Sequence, residues 1–405
     1  MQSFLIDNSE TYDYQELLEY VNNASGYYKT YKTESLFKYF TNFIVALVNN
    51  LPLTLIDSDA KVNEIEGMGE TDVNLLTIIN GQKIGSIKNL INAVLSSTSE
   101  ITVFTSGTTG QPKKVIHSVA TLTRAVRRTD PLKNLVWAFA YNPTHMAGLQ
   151  VFFQAFSNIN TLVNVFNMQR REVYELIEAN TITHISATPT FYRLLLPVDK
   201  IFPFVQRITF GGEKSDNHLY NAIQQIFPNA RLNNIYASTE AGSLFAAKGE
   251  YFQLPEYLRN KIRIENDELL IHKSLLGRSE SLAIVDDYYY SGDLIEWINE
   301  AEGLFKFKSR KNELINVGGY KVNPGEIESL ILSMNGVQQA IVYGKANSVI
   351  GSILCAEIKL EKEGSLTELD IRNYISNKLQ DYKVPRRIKF VSEFSLTRTG
   401  KIKRL

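Results

Sequence analysis

Residues Val103-Phe104-Thr105-Ser106-Gly107-Thr108-Thr109-Gly110-Gln111-Pro112-Lys113-Lys114 decide how this chain is read. Ile101, Val103 and Phe104 lead, strand-like, into a run of hydroxyls and glycines that ends in proline and two lysines. Glycines let successive backbone N–H groups converge into an anion-binding concavity. The Ser and Thr hydroxyls add donors, and the lysines add charge. The stretch reads as a phosphate cradle. No G-x-x-x-x-G-K-[ST] can be laid over it, which excludes a generic P-loop phosphotransferase.

Around the cradle the chain is ordinary in bulk. Its 405 residues suggest two or three domains, and 44% hydrophobic with 21% charged residues is typical of a globular protein. Lys and Arg number 43, as do Asp and Glu, so no global charge draws the chain to nucleic acid or membrane. Residues 309–405 are locally basic, with 16 Lys and Arg against 10 Asp and Glu. One cysteine, Cys355, allows no intrachain disulfide and fits a reducing compartment. Residues 1–14 carry Asp7, Glu10 and Asp13, unlike a secretory signal, and the apolar run 43–48 is too short to span a bilayer. A cytoplasmic protein is expected.

Residues 1–50 read as helical, from Leu17, Leu18 and Val21 to Leu36, Phe37, Phe40, Phe43, Ile44 and Leu47. A short strand is expected at 51–56. From about residue 100 the pattern alternates. Strands are predicted at 135–140, 161–166, 184–187, 207–210 and 231–236, with helices at 121–128, 146–156, 171–178 and 217–227. Such alternation argues for βα units and mainly parallel sheets. Short strands replace helices over 251–298. Beyond Lys308–Arg310 a compact α+β unit follows, with helices at 326–332 and 369–379 and strands at 337–343 and 353–360. The expected division is 1–308 and 309–405.

Further motifs follow the cradle in order. They are Asn142-Pro143-Thr144-His145-Met146-Ala147-Gly148, Ser186-Ala187-Thr188-Pro189-Thr190, Phe210-Gly211-Gly212-Glu213, Tyr236-Ala237-Ser238-Thr239-Glu240 and Tyr290-Ser291-Gly292-Asp293-Leu294. Then come Ser309-Arg310 through Gly318-Gly319 to Glu328, and Leu396-Thr397-Arg398-Thr399-Gly400-Lys401. Taken singly these are ordinary. A Thr-Glu after a strand reads as a helix start, S-G-D is a common turn, and a lysine near the end of a sequence is usually solvated.

As an ordered set they resemble the adenylate-forming (AMP-binding) superfamily, which includes acyl-CoA and aryl-CoA synthetases, luciferases and adenylation domains of peptide synthetases. The chain is similar to compact acyl-CoA or aryl-CoA synthetases. It departs from the family pattern at Lys114, Ala237, Asn312 and Ser395. The resemblance implies an α/β fold: a large N-terminal domain of βα units, a small barrel-like region, and a small mobile α+β C-terminal lid.

The resemblance also implies roles. Thr105, Ser106, Gly107, Thr108, Thr109, Gly110 and Lys113 would hold ATP phosphates. Gly211, Gly212, Glu213 and Tyr236 would frame the adenine, Thr239 would contact the α-phosphate, and Glu240 would help hold Mg2+. Asp293 would accept the ribose hydroxyls, as suits a carboxylate facing a cis-diol. Arg310 would reach ribose or phosphate, His145 the substrate carboxylate, and Lys401 would be the catalytic lysine. Gly318 and Gly319 would line a tunnel for the thiol of CoA or of a carrier protein's phosphopantetheine. The implied activity is ATP-dependent joining of a small carboxylic acid to a thiol. A non-catalytic nucleotide-binding homologue is the alternative. Residues 134–157 contain no Asp or Glu to meet an ammonium, which argues against an amino-acid substrate.

Overall fold

The computed structural model describes residues 2–60, 62, 65, 67–105, 113–347, 351–362, 365–397 and 402. Five parallel strands form the heart of the large sheet, in the order Thr161–Asn164, Val136–Phe139, His184–Ala187, Arg207–Gly211 and Arg231–Ser238. Their connecting helices are amphipathic. Asn217–Ile226, for example, buries Leu219, Tyr220, Ile223 and Ile226 at helical spacing, and Asp216 caps its first turn. Predicted and observed elements agree within a few residues across this region.

Antiparallel strands continue the sheet beyond Arg231–Ser238. These are Gly242–Lys248, Tyr251–Gln253, Leu304–Arg310, Tyr288–Asn299, Glu268–His272 and Ile262–Glu265. This segment takes the place expected for the barrel-like region. It packs its own apolar cluster around Phe245, Leu269, Ile295 and Phe305.

The first fifty residues differ from expectation. They open with a hairpin, Ser3–Asp7 with Glu10–Asp13, before the helices Tyr14–Asn23 and Leu36–Val48. Asn8 and Ser9 both have positive φ, 49° and 73°, as the turn of a tight hairpin demands. Ser3–Asp7 then joins the edge of the large sheet parallel to Thr161–Asn164. Phe4 sits fully buried against Tyr14, Phe37, Phe40 and Phe156.

From Ile315 onward a separate five-stranded sheet forms, with the helices Pro324–Leu332 and Glu368–Ser376 on it. Its core of Ile327, Ile331, Val342, Ile358, Ile371 and Ile375 is distinct from those of the larger unit. No helix among the described residues is long and apolar enough to cross a membrane.

Candidate functional site

One cleft of about 2420 Å3 runs from the end of the parallel strands to the face of the smaller unit. At its mouth lies the turn Gly211-Gly212-Glu213. Gly212 has φ +83°, which strains any residue with a Cβ. A Cβ on Gly211 would stand 3.2 Å from the Tyr141 hydroxyl. Glu213 points back into the protein and accepts from the backbone N (3.0 Å) and Oγ1 (2.8 Å) of Thr190. It ties this turn to the helix Pro189–Leu194 through one carboxylate oxygen, and the residue also lines the cleft.

Tyr236 and Asp293 meet beside that turn. The Tyr236 ring stacks on Phe307, with centroids 4.4 Å apart and 19° between planes. Its hydroxyl donates to Asp293 Oδ2 at 2.5 Å. Arg310 Nε donates to the other carboxylate oxygen at 2.6 Å. Asp293 and Arg310 are cross-strand partners, so sheet register sets the pair. Burial, reinforced by Asp293, holds the Tyr236 phenol far above its usual range, and it remains a neutral donor. Desolvation alone would weaken the Arg310 base, but Asp293 outweighs it and the guanidinium stays charged.

The next residue is anchored the same way. Lys311 Nζ reaches Glu268 at 3.1 Å, and Glu268, 5% exposed, accepts the Gly292 N–H at 2.9 Å. Glu268 thus fixes the Ser-Gly-Asp turn, where Gly292 has φ +75°. Sequence reading missed it, because nothing local links residue 268 to 292 or 311.

Thr239 and Glu240 occupy the tip of a hairpin between Arg231–Ser238 and Gly242–Lys248, not the start of a helix. Gly242, with φ +68°, makes the turn possible. The Thr239 carbonyl accepts from His117 Nε2 at 2.8 Å, and the Glu240 carbonyl accepts from the Gly277 N–H at 2.8 Å. Burial lowers the His117 pKa, which suits a neutral donor. Both backbones are pinned while both residues line the cleft. Among the described residues no cluster of three or more His, Cys, Asp or Glu could bind a metal unaided. A single carboxylate at Glu240 fits a Mg2+ held mainly by substrate phosphates.

Elsewhere along the cleft, His145 precedes the helix Met146–Phe156. Its Nε2 lies 3.1 and 3.2 Å from the two oxygens of Asp57. Asn142 Nδ2 reaches the same carboxylate at 3.1 Å, and the Thr144 hydroxyl also donates to it. Asp57 therefore organises the whole loop 142–145. The lack of acids over 134–157 is a fact of local sequence only, since a carboxylate arrives here from far upstream. Its oxygens are engaged by the loop's donors. Gly148 completes the arrangement, because a Cβ there would lie 2.2 Å from the Asn142 carbonyl.

Not every expected residue joins the cleft. Gly318 and Gly319, with φ +58° and +92°, form a turn away from it, and Gly318 borders a separate small cavity with Tyr320 and Tyr382. Lys113 lines the cleft. Thr105 ends the strand Glu100–Thr105, of whose final side chain nothing is described. Ser106, Gly107, Thr108, Thr109, Gly110 and Lys401 lie outside the described residues. Thr397 and Ile402, on either side of 398–401, both line the cleft.

Deeper in, burial and then the Arg207 charge push His184 from 6.5 down to about 4. The folded chain keeps this imidazole neutral at pH values where the unfolded chain protonates it. The unfolded state binds more protons between those values, so stability should fall as pH drops from about 6.5 to about 4. The loss at the acid end is on the order of 3 kcal/mol. Urea denaturation across this range should show His184→Gln with a flatter pH dependence than the parent. Identical slopes would contradict it.

The AMP-binding enzyme family model matches residues 94–264, and the AMP-binding enzyme C-terminal domain model matches 326–401. A 2-succinylbenzoate–CoA ligase of Staphylococcus epidermidis is 24% identical, covering 89% of this chain and 77% of the relative. 4-Hydroxybutyrate–CoA ligase 1 of Metallosphaera sedula is 28% identical over 75% of this chain and 61% of its own length. Bacitracin synthase 3 of Bacillus licheniformis is 25% identical over 78% of this chain, which spans only 6% of that protein. The fold matches o-succinylbenzoate–CoA synthetase of Bacillus subtilis in complex with its acyl-adenylate, with a TM-score of 0.72 at 18% identity over 99% of this chain and 94% of that one. An anthranilate–CoA ligase in complex with anthranoyl-AMP gives 0.76 at 16% identity, covering 99% and 92%. With both family models matched in order along one chain, this protein belongs to the AMP-binding enzyme family.

Proposed function

We propose that the chain is an AMP-forming acid–thiol ligase that adenylates a carboxylic acid and passes the acyl group to CoA. The observation that carries this reading is the convergence of Tyr236, Asp293 and Arg310 beside Gly211-Gly212, with Thr239, Glu240 and His145 lining the same cleft.

A carboxylate is a poor acyl donor because its charge repels nucleophiles. Adenylation supplies a leaving group. One carboxylate oxygen attacks the α-phosphorus of ATP, the bond from that phosphorus to the β-phosphate oxygen breaks, and pyrophosphate leaves. Both reactants are anionic, so the barrier is mostly charge neutralisation and in-line positioning. In this reading residues 105–113 cradle the outer phosphates, Asp293 accepts the ribose hydroxyls, and Thr239 contacts the α-phosphate. Mg2+ held through Glu240 would neutralise phosphate charge. Asp57 fixes the ring of His145 through Nε2, and Nδ1, which has no partner among the described residues, would donate to the substrate carboxylate in the imidazolium form. Lys401 supplies fixed positive charge between the reactants.

We take 1–308 as the nucleotide- and acyl-binding unit and 309–405 as a lid that rotates between half-reactions. The turn Gly318-Gly319, away from the cleft here, then comes to the site to admit the thiol, which displaces AMP and forms the thioester. Thr397 and Ile402 at the cleft favour the adenylating arrangement. The basic charge of the lid suits the phosphates of CoA, and equally an acidic carrier protein. Buried Cys355 suits a cytoplasmic setting.

The test is acid-dependent ATP–pyrophosphate exchange with a panel of acids, followed by AMP release with CoA or a phosphopantetheinylated carrier protein. Exchange with some acid, then CoA-dependent release, is expected. Release only with the carrier protein would move the acceptor. ATP binding without exchange for any acid would mark a non-catalytic homologue.

A further inference from the structure

Below the glycine turn the cleft continues down one face of the parallel sheet, and its lining turns polar. Ser186, Thr209 and Asn233 form one register row across neighbouring strands. Two residues further down, Trp137, His184 and Arg207 form another and also line the cavity. The period of two puts both rows on the same face. Along the lower row, from Trp137 through His184 and Arg207 to Arg231, there is no acidic residue.

These groups are short of partners. Trp137 and His184 are buried, with ring centroids 4.8 Å apart. Among the described residues Trp137 Nε1 has no hydrogen-bond partner. His184 spends Nδ1 on the Thr183 hydroxyl at 3.0 Å, and among the described residues Nε2 meets nothing. Three other arginines of the cleft are engaged, and Arg127 is exposed. Arg193 pairs with Asp216, Arg310 with Asp293, and Arg124 donates to the carbonyls of Leu275 and Ala241. Arg207, half-buried, has no such ion pair or side-chain hydrogen bond among the described residues. A guanidinium in a sheltered cavity, unmatched by a carboxylate, is a strong seat for an anion.

We propose that Arg207, with His184 and Trp137 as its walls, is a second subsite that binds an anionic group at the far end of the acid substrate. The substrate class is then a dicarboxylic acid, or an acid bearing another terminal anion. Arg207 and Gly211 are four residues apart on one strand, a rise of roughly 13 Å. The two anionic ends are separated accordingly, by a long chain or a ring system, so the acid is longer than the small one the sequence suggests. Neutral His184 adds a polar wall without adding charge. This inference rests on the acid-ligase reading above.

The test is ATP–pyrophosphate exchange with α,ω-dicarboxylic acids of increasing length, each beside its monocarboxylic acid and its half methyl ester. The best diacid should have kcat/KM at least about tenfold above both controls, as a charged hydrogen bond in a sheltered site provides. Arg207→Gln should cut that preference by about tenfold or more, through KM for the acid rather than for ATP, and Arg207→Lys should restore part of it. Binding gives a second readout that needs no turnover. In a Trp297→Phe background Trp137 is the sole tryptophan, and on selective tryptophan excitation the diacid should change its emission with Arg207 present and not with Arg207→Gln. Equal kcat/KM for diacid and monoacid, or an unchanged ratio in Arg207→Gln, overturns the subsite and leaves the ligase reading intact. Exchange with no acid of either kind overturns both.

Discussion

Lys401→Ala is expected to slow acyl-adenylate formation by about 10²–10³-fold, the usual cost of removing one preorganised charge-stabilising donor. Thioester formation from a synthetic acyl-adenylate and the thiol should be nearly unchanged. In the proposed reaction Lys401 would be needed only where a carboxylate approaches the α-phosphate, and the second half-reaction begins after that encounter. Gly319→Leu should do the reverse, because its turn has φ +92° and, in the proposed reaction, would admit a thiol in the rotated lid. Rapid-quench measurement of each half-reaction in both variants decides it. Normal adenylation by Lys401→Ala would reduce that lysine to a solvated residue and remove the main support for alternation of the lid.

Asp293→Ala should have the next largest effect. The substitution leaves the Tyr236 hydroxyl and the Arg310 guanidinium without their shared acceptor. Losing a charged hydrogen-bond partner costs about 1.5–3 kcal/mol, which is about 10–100-fold in ATP affinity if the same carboxylate holds the ribose. Calorimetry with 2′-deoxy and 3′-deoxy ATP separates this from general damage. The parent should prefer ATP over both, and Asp293→Ala should bind all three alike. A variant that weakens uniformly but keeps its preference would show Asp293 to be only a clamp for Arg310.

The parallel core was legible because its strands and helices alternate with clear periods, and each helix buries one stripe. The opening hairpin was not, since its turn depends on Asn8 and Ser9 both adopting positive φ, which Asn tolerates but Ser rarely does. Thr239-Glu240 misread as a helix start for a related reason. The hydroxyl and carboxylate that signal a cap also suit a hairpin tip, and Gly242 two residues on decides between them. At the site, Tyr236, Asp293 and Arg310 were legible as motif members, but their mutual contacts come from sheet register. Glu268 and Asp57 left no local trace. Each is a single carboxylate with hydrogen-bond partners 24 and 85 residues away in sequence. Such groups emerge only once the chain is folded.

Asp57 bears on how this protein can be re-engineered. The segment before the phosphate loop carries no recognisable motif and invites replacement or trimming in chimaeras built for new acids. Yet it delivers the carboxylate that holds Asn142, Thr144 and His145 in place. A graft that begins after residue 60 would import the loop proposed to meet the acid without its keystone, whereas one that carries residues 51–60 along with 142–148 moves the proposed recognition element as a unit.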